Sequence, residues 1–432
     1  MQIRRLTLAI ATTVLISSAL GACSSDPDAA DPGSGESPTA PGESTATITM
    51  WARSENVVTP KLVQAYNESH KSQIKLTIIP GDDFITKVAT AAGAKALPDL
   101  LVSDVVYSPN YVQQGLFKDE TELVNKLPFK SSLVKAHLDA ATSDGKIYAV
   151  PFDVDSSIIL YNKTLFKKAG LDPEAAPKNF EDIYNDAKAV RKLGGKTYGF
   201  YFGGNCAGCF AYTAMPYGVA AGQLPISQDG KTADIAGTGI TEAAALYKRL
   251  FDEGIAPSSA KSENGSTWPA SFLAGNIGIL PLGSGIIGSA KEAGIDYGVA
   301  PLPSPDGTST ATFVGGDVVG VSATTEHTAE AEAFLTWSLD ETAQVEVWAK
   351  NGFLTSRTDL ADNKYSSQVP GVSEVIKGLA NGYTPASTQY GDLFNNANGP
   401  WLQGLRGAIF NNDPNALAEA QSTIQAELTA GS

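Results

Sequence analysis

Two carboxylates, Asp153 and Asp155, stand two positions apart inside IYAVPFDVDSSIILYNKTLF, residues 147–166, a stretch that is otherwise largely apolar. Along an extended chain, alternate side chains share a face, so both acids point the same way. Acids so placed could hold a metal ion, act as a catalytic pair, clamp the hydroxyls of a sugar, or occupy a solvated bend. Glycosidic hydrolysis is poorly served, because its two acids must flank the scissile bond. Neighbours on one strand face, about 6 to 7 Å apart, do not flank anything. A second constellation is Cys206 and Cys209 in GNCAGCF. CxxC serves as a redox centre, half of a zinc site, or a local disulfide. No second CxxC or HxxxH completes a zinc site, and His70, His137 and His327 are far apart in the chain. A redox pair commonly opens a helix after a strand, whereas this pair lies among glycines. A disulfide pinning a loop is therefore expected, with free thiols as the alternative.

The elements that must position these groups alternate in type. ATITMWA (46–52), IKLTIIP (74–80) and PDLLVSDVV (98–106) read as strands. Between them, Thr59-Pro60 looks like an N-cap and N1 proline opening a helix with Leu62, Val63, Ala65 and Tyr66 on one face. GDDFITKVATAAGAKA reads as a second helix, with Asp82 or Asp83 as its N-cap. The pattern returns after residue 179, where Asn179 is the expected cap of a helix carrying Ile183, Ala187 and Val190 on its buried face. TYGFYFG follows as a strand, and 239–254 and 329–350 read as amphipathic helices. The last 70 or so residues read as helices and loops. Alternation of this kind predicts an α/β fold in two lobes.

The ends and the charge bound the setting. Arg4 and Arg5, an apolar run and Leu20-Gly21-Ala22-Cys23 have the order of a lipoprotein signal peptide, residues 1–22, with Cys23 as the lipid anchor. Residues 23–46 contain no large apolar side chain and read as a disordered tether. The formal charge is −15, and loss of the two leader arginines takes it to about −17. Such a charge argues against nucleic acid or an anionic bilayer as a partner.

Several blocks together resemble the family 1 extracellular solute-binding proteins, receptor lipoproteins of carbohydrate-importing ABC transporters. They are D-G-K-I-Y-A-V-P-F at 144–152, L-Y-N-K at 160–163 and L-F-K-K-A-G-L at 165–171. A Pro–x–x–Phe entry at 177–180, F-L-A-G-N-I-G-I at 272–279, A-P-L-P-S-P-D-G at 300–307 and G-G-D at 315–317 follow in order. The resemblance implies a type II periplasmic-binding-protein fold, two α/β lobes around a ligand cleft. It places lobe 1 at 47–155 and 313–353 and lobe 2 at 156–312 and 354–432, with hinge crossings near 153–158, 308–314 and 352–357. It also implies a monomer that captures a sugar and passes it to permease subunits, without covalent chemistry, cofactor or metal. A glycerol phosphodiester or another polyol is the alternative ligand, and a secreted glycoside hydrolase a distant one.

A sugar site needs aromatic faces for C–H surface and fixed polar groups for hydroxyls. In open α/β sheets such groups sit beyond the carboxyl ends of strands. That rule selects Trp51, Arg53 and Glu55 after the first strand, Asp82 and Asp83 after the second, and Asp104 after the third, a position the resemblance also favours. Asp153 and Asp155 join them at the first crossing. Asn205, Gly316, Asp317, Arg357 and Tyr390 complete the candidates, with Trp268, which resembles the stacking aromatic of sugar receptors.

Overall fold

The computed structural model describes residues 44–431. The signal peptide, Cys23 and nearly all of the tether lie outside the described residues. Ser44 Oγ donates to Glu330 Oε1 at 2.6 Å, and the Gln73 N–H donates to the Ala46 carbonyl at 2.9 Å, so the folded body is under way by residue 44. No helix among the described residues is long and apolar enough to cross a membrane.

Eight main strands carry the architecture: β1 Thr47–Arg53, β2 Gln73–Ile79, β3 Leu100–Asp104, β4 Val150–Asn162, β5 Tyr198–Phe200, β6 Ile277–Gly283, β7 Tyr297–Ala300 and β8 Thr310–Val321. They join in the order β2-β1-β3-β8-β4-β6-β5, with β7 also on β4. The β2-β1-β3 edge and the β6-β5 edge are parallel, whereas β8 and β4 run antiparallel to their neighbours. Helices α1 Thr59–Ser69 and α2 Gly81–Gly93 supply the crossovers that parallel pairing requires.

The two long strands are shared. β4 pairs with β8 over 150–156 and then with β6 and β7 over 157–162. The apolar packing changes along them. Val150 and Phe152 join the cluster of Ile48, Met50 and Val102, while Val154 and Ile158 join that of Phe200 and Leu280. In β8 the change falls between Val318 and Val319, and in the later chain between Phe353 and Leu354. Each side chain at these points is committed by burial, at roughly 1.5 to 3 kcal/mol for a full-size apolar group.

Local signals met mixed outcomes. Asn179 caps the helix Phe180–Arg191 as expected, its Oδ1 accepting the Asp182 N–H at 2.8 Å. Thr59 does not cap α1, because the Val58 carbonyl already accepts the Leu62 N–H and Thr59 lies within the helix. Likewise α2 begins at Gly81 behind Pro80, so Asp82 and Asp83 fall in its first turn rather than at its cap. The run 329–350 is broken. A helix ends at Ser338, and Asp340 Oδ1 accepts the Ala343 N–H at 2.8 Å to start a wider-wound segment, Thr342–Trp348. Near the C-terminus Gly382–Tyr383 adds a two-residue strand on β8, which the helix-and-loop reading omitted.

Candidate ligand cleft

Arg53 ends β1 and projects over the end of β3 and the middle of β8. Its Nη2 donates to Asp317 Oδ1 at 2.8 Å and Oδ2 at 2.9 Å, its Nε to Oδ1 at 3.0 Å, and its Nη1 to Asp104 Oδ2 at 3.2 Å. Register explains the convergence, since Asp317 lies opposite Asp104 on one side and opposite Asp153 on the other. Two carboxylates, of Asp317 and Asp104, thus share one guanidinium, with Asp153 beside them. Asn56 adds a neutral bridge, its Nδ2 donating to Asp317 Oδ2 at 2.6 Å and to Asp153 Oδ2 at 3.3 Å.

Gly316 makes this geometry possible. Its φ is +95°, and a Cβ there would lie 2.1 Å from the Asp153 carbonyl oxygen. Only glycine permits both the left-handed backbone and the close approach of β8 to β4. The register shift between Asp317 and Val318 turns the strand at the same place.

Electrostatics follow from burial. Removal from water works against the Arg53 charge, but Asp317 and Asp104 overcome it and raise its pKa. Burial, reinforced by the neighbouring Asp317 charge, pushes the Asp153 carboxyl up to about 8. Burial also lifts Asp104, to about 6, against the pull of Arg53. Asp155 is raised by burial, while Ser284 Oγ at 2.6 Å, the Ser156 N–H at 2.9 Å and the Gly285 N–H at 3.2 Å hold it back. The nearby Tyr212 hydroxyl also favours the Asp155 carboxylate.

These groups line a hollow of about 420 Å³, together with Glu55, Tyr212, Gly316 and Phe353. A neighbouring hollow of about 310 Å³ shares Asp104 and Tyr212 and adds Trp268, Tyr390 and the Cys206–Cys209 pair. A third shares Asp155, Tyr212 and Trp268. Tyr212 is therefore the common wall of one branched cleft. Trp268 is 8 % exposed, and its Nε1 has no hydrogen-bond partner among the described residues.

The sequence-derived candidates divide accordingly. Arg53, Glu55, Asp104, Asp153, Asp155, Trp268, Gly316, Asp317 and Tyr390 line the cleft. Trp51 is half-buried beside α2, with Lys87 Nζ 5.0 Å from its ring centre, and lines none of these hollows. Asp83 is exposed in the first turn of α2, and of Asp82 only its place in that turn is described. Asn205 is exposed and outside the cleft, its N–H donating to the Glu263 carbonyl at 2.8 Å. Arg357 is also outside; its guanidinium lies 3.9 Å from the Phe129 ring centre and bonds Asp359 Oδ1 at 3.1 Å. Cys206 and Cys209 are bonded to each other. They lie among glycines, with Gly203 and Gly265 packed against them, yet they do open a helix, α4 Ala207–Thr213 when Phe180–Arg191 is counted α3, so the contrast drawn with helix-opening pairs was wrong. Asn56, Tyr212 and Ser284 were missed. Asn56 sits three residues past β1 and was within reach of the strand-end rule, whereas nothing local marks Tyr212 or Ser284.

The model of the bacterial extracellular solute-binding proteins matches residues 61–373. The chain is similar to the diacetylchitobiose binding protein DasA of Streptomyces coelicolor, 23 % identical over 80 % of each chain. It is also similar to the galactooligosaccharide-binding protein of Bacillus subtilis, 26 % identical over 60 % of this chain and 61 % of that one. The sugar-binding protein MalE of Xanthomonas citri superposes with a TM-score of 0.77 at 18 % identity, covering 89 % of this chain and 98 % of that one. The fold is thus the two-lobed type II periplasmic-binding-protein fold that the sequence blocks implied. With the family model spanning well over half of its length, the chain belongs to the bacterial extracellular solute-binding proteins.

Proposed function

We propose that this chain is an extracytoplasmic receptor that captures a sugar or oligosaccharide in the branched cleft and delivers it to an ABC transporter permease. The observation that carries this reading is the pairing of acceptor-rich walls with aromatic ones. Asp153, Asp155 and Asp104 offer fixed oxygens to hydroxyl groups, and Tyr212, Trp268 and Tyr390 offer apolar or amphipathic faces to the ring. The similarity to a diacetylchitobiose binding protein and a galactooligosaccharide-binding protein supports the same class. The family is one of binding proteins, not of enzymes.

A glycerol phosphodiester is the weaker reading, because a phosphate would enter a hollow lined by five carboxylates and one arginine. Lobe 1 is assigned to 47–155 and 313–353 and lobe 2 to 156–312 and 354–432; the change of apolar packing supports crossings in β4 and at 353–354, whereas in β8 it falls at 318–319, later than the crossing expected near 308–314. Closure is driven by ligand contacts to both lobes, a shift of population toward the closed form. The mature protein is a monomer held at the outer face of the cell membrane by lipid on Cys23. Family membership supports export, and the order of the leader supports the anchor.

Thermal-shift screening of the purified protein against a carbohydrate panel tests the ligand class. A ligand at about 100 times its Kd adds about 2.7 kcal/mol to stability. A shift with sugars is expected, and shifts confined to phosphorylated polyols overturn the reading. Loss of membrane partitioning on Cys23→Ala tests the anchor.

A further inference from the structure

The cleft is out of electrical balance. Five carboxylates, of Glu55, Asp104, Asp153, Asp155 and Asp317, line its first hollow against the single guanidinium of Arg53. Arg53 is committed to Asp317 and Asp104. Asp153 accepts from the neutral amide of Asn56 at 3.3 Å, and Asp155 accepts from a serine hydroxyl and two backbone N–H groups. Neither forms an ion pair among the described residues. Once lobes close over a ligand, water leaves these acids, and a dry carboxylate without a counter-charge costs several kcal/mol or takes up a proton. A neutral sugar supplies hydroxyl donors there but no charge.

A second, independent observation points to the ligand's other end. Trp268 is more than nine-tenths buried, lines the hollows beside Asp155, and keeps an indole N–H without a protein acceptor among the described residues. That N–H calls for an oxygen acceptor, such as a ring or glycosidic oxygen or a hydroxyl. A ligand that suits both ends is cationic at one and oxygen-rich at the other.

We propose that the preferred ligand is an amine-bearing carbohydrate, with its protonated nitrogen seated by Asp153 and Asp155 and an oxygen facing Trp268. The inference rests on the cleft being a sugar site and narrows its ligand class. It has a proton signature. The groups facing Asp153 are Asp317 of β8, Arg53 and Asn56 from the β1 end, and Asp155 of its own strand. In the free protein, burial keeps Asp153 protonated through neutral pH. An arriving ammonium favours the carboxylate, so binding releases up to one proton to buffer.

The test uses the intact mature protein and glucose disaccharides of the α-1,4 and β-1,4 series, each in a neutral, a 2-amino and an N-acetylated form. Titration calorimetry near pH 6.5, in two buffers of different ionisation enthalpy, reads affinity and proton release together. The 2-amino form is expected to bind about tenfold or more tighter than its neutral partner, with proton release, and acetylation is expected to abolish both. Asp155→Asn and the double variant with Asp153→Asn are expected to erase the amine preference, whatever their absolute affinity. Equal binding of neutral and amino forms, without proton release, overturns the inference while leaving a sugar receptor. No binding by any form at millimolar concentration overturns the inference for these sugars, and the carbohydrate panel described above then decides the sugar reading separately.

Discussion

Replacing Asp317 by alanine tests the logic of the cleft floor most directly. The Asp317 side chain is 2 % exposed and that of Arg53 19 %, so their ion pair is shielded from bulk water. Asp317→Ala removes three of the four charge-assisted bonds from Arg53, leaving Asp104 at 3.2 Å. It also deprives Asn56 Nδ2 of its 2.6 Å acceptor. Breaking one partner of a buried pair costs about 3–5 kcal/mol. Part of that returns, because Asp317 is also the like charge that helps to raise Asp153. A net loss of about 2–4 kcal/mol is expected by urea unfolding at pH 7. Asp317→Asn keeps an oxygen for Asn56 and a shape for Arg53, and is expected to lose about half as much. A change below about 1 kcal/mol for Asp317→Ala would show that Arg53 is not held by this network and refute the electrostatic account.

Asp153 carries a pH prediction. Its folded pKa of about 8 lies above the ordinary carboxyl value of 3.8, so the folded state binds this proton more tightly. Stability from this group is complete below about pH 4 and is lost as pH rises to about 8. Asp153→Asn is therefore expected to stabilise the protein progressively from pH 5 to pH 8, read as the difference in thermal midpoint from wild type; a constant difference refutes it. Gly316→Ala is expected to cost at least about 1–3 kcal/mol through the positive φ and the Asp153 carbonyl, measured by denaturant unfolding, and a neutral result would mean that β8 and β4 can move apart there. Reducing the Cys206–Cys209 bond releases a loop of four residues, so the loss in thermal stability is expected to be no more than about 2 kcal/mol, checked by calorimetry with and without reductant.

What the chain's own order of residues determined was local or repetitive. Strand-like runs separated by helical periods dictate α/β layering, because each pattern has one face to bury. Asn179 could be identified as a cap since its partner, the Asp182 N–H, is three residues away. The strand-end rule found Arg53 and Asp104 because it depends only on where each strand stops. Tertiary structure decided the remainder. Asp317 meets Asp153 and Asp104 through strand register, which joins residues more than 160 positions apart and carries no local mark. Tyr212 and Ser284 reach Asp155 from a helix and a turn far along the chain. Arg357, equally basic and equally suggestive, was turned away from the cleft by Asp359 and Phe129. A side chain's type says what it can bond, but burial and register choose which partner it meets, and both are properties of the assembled sheet.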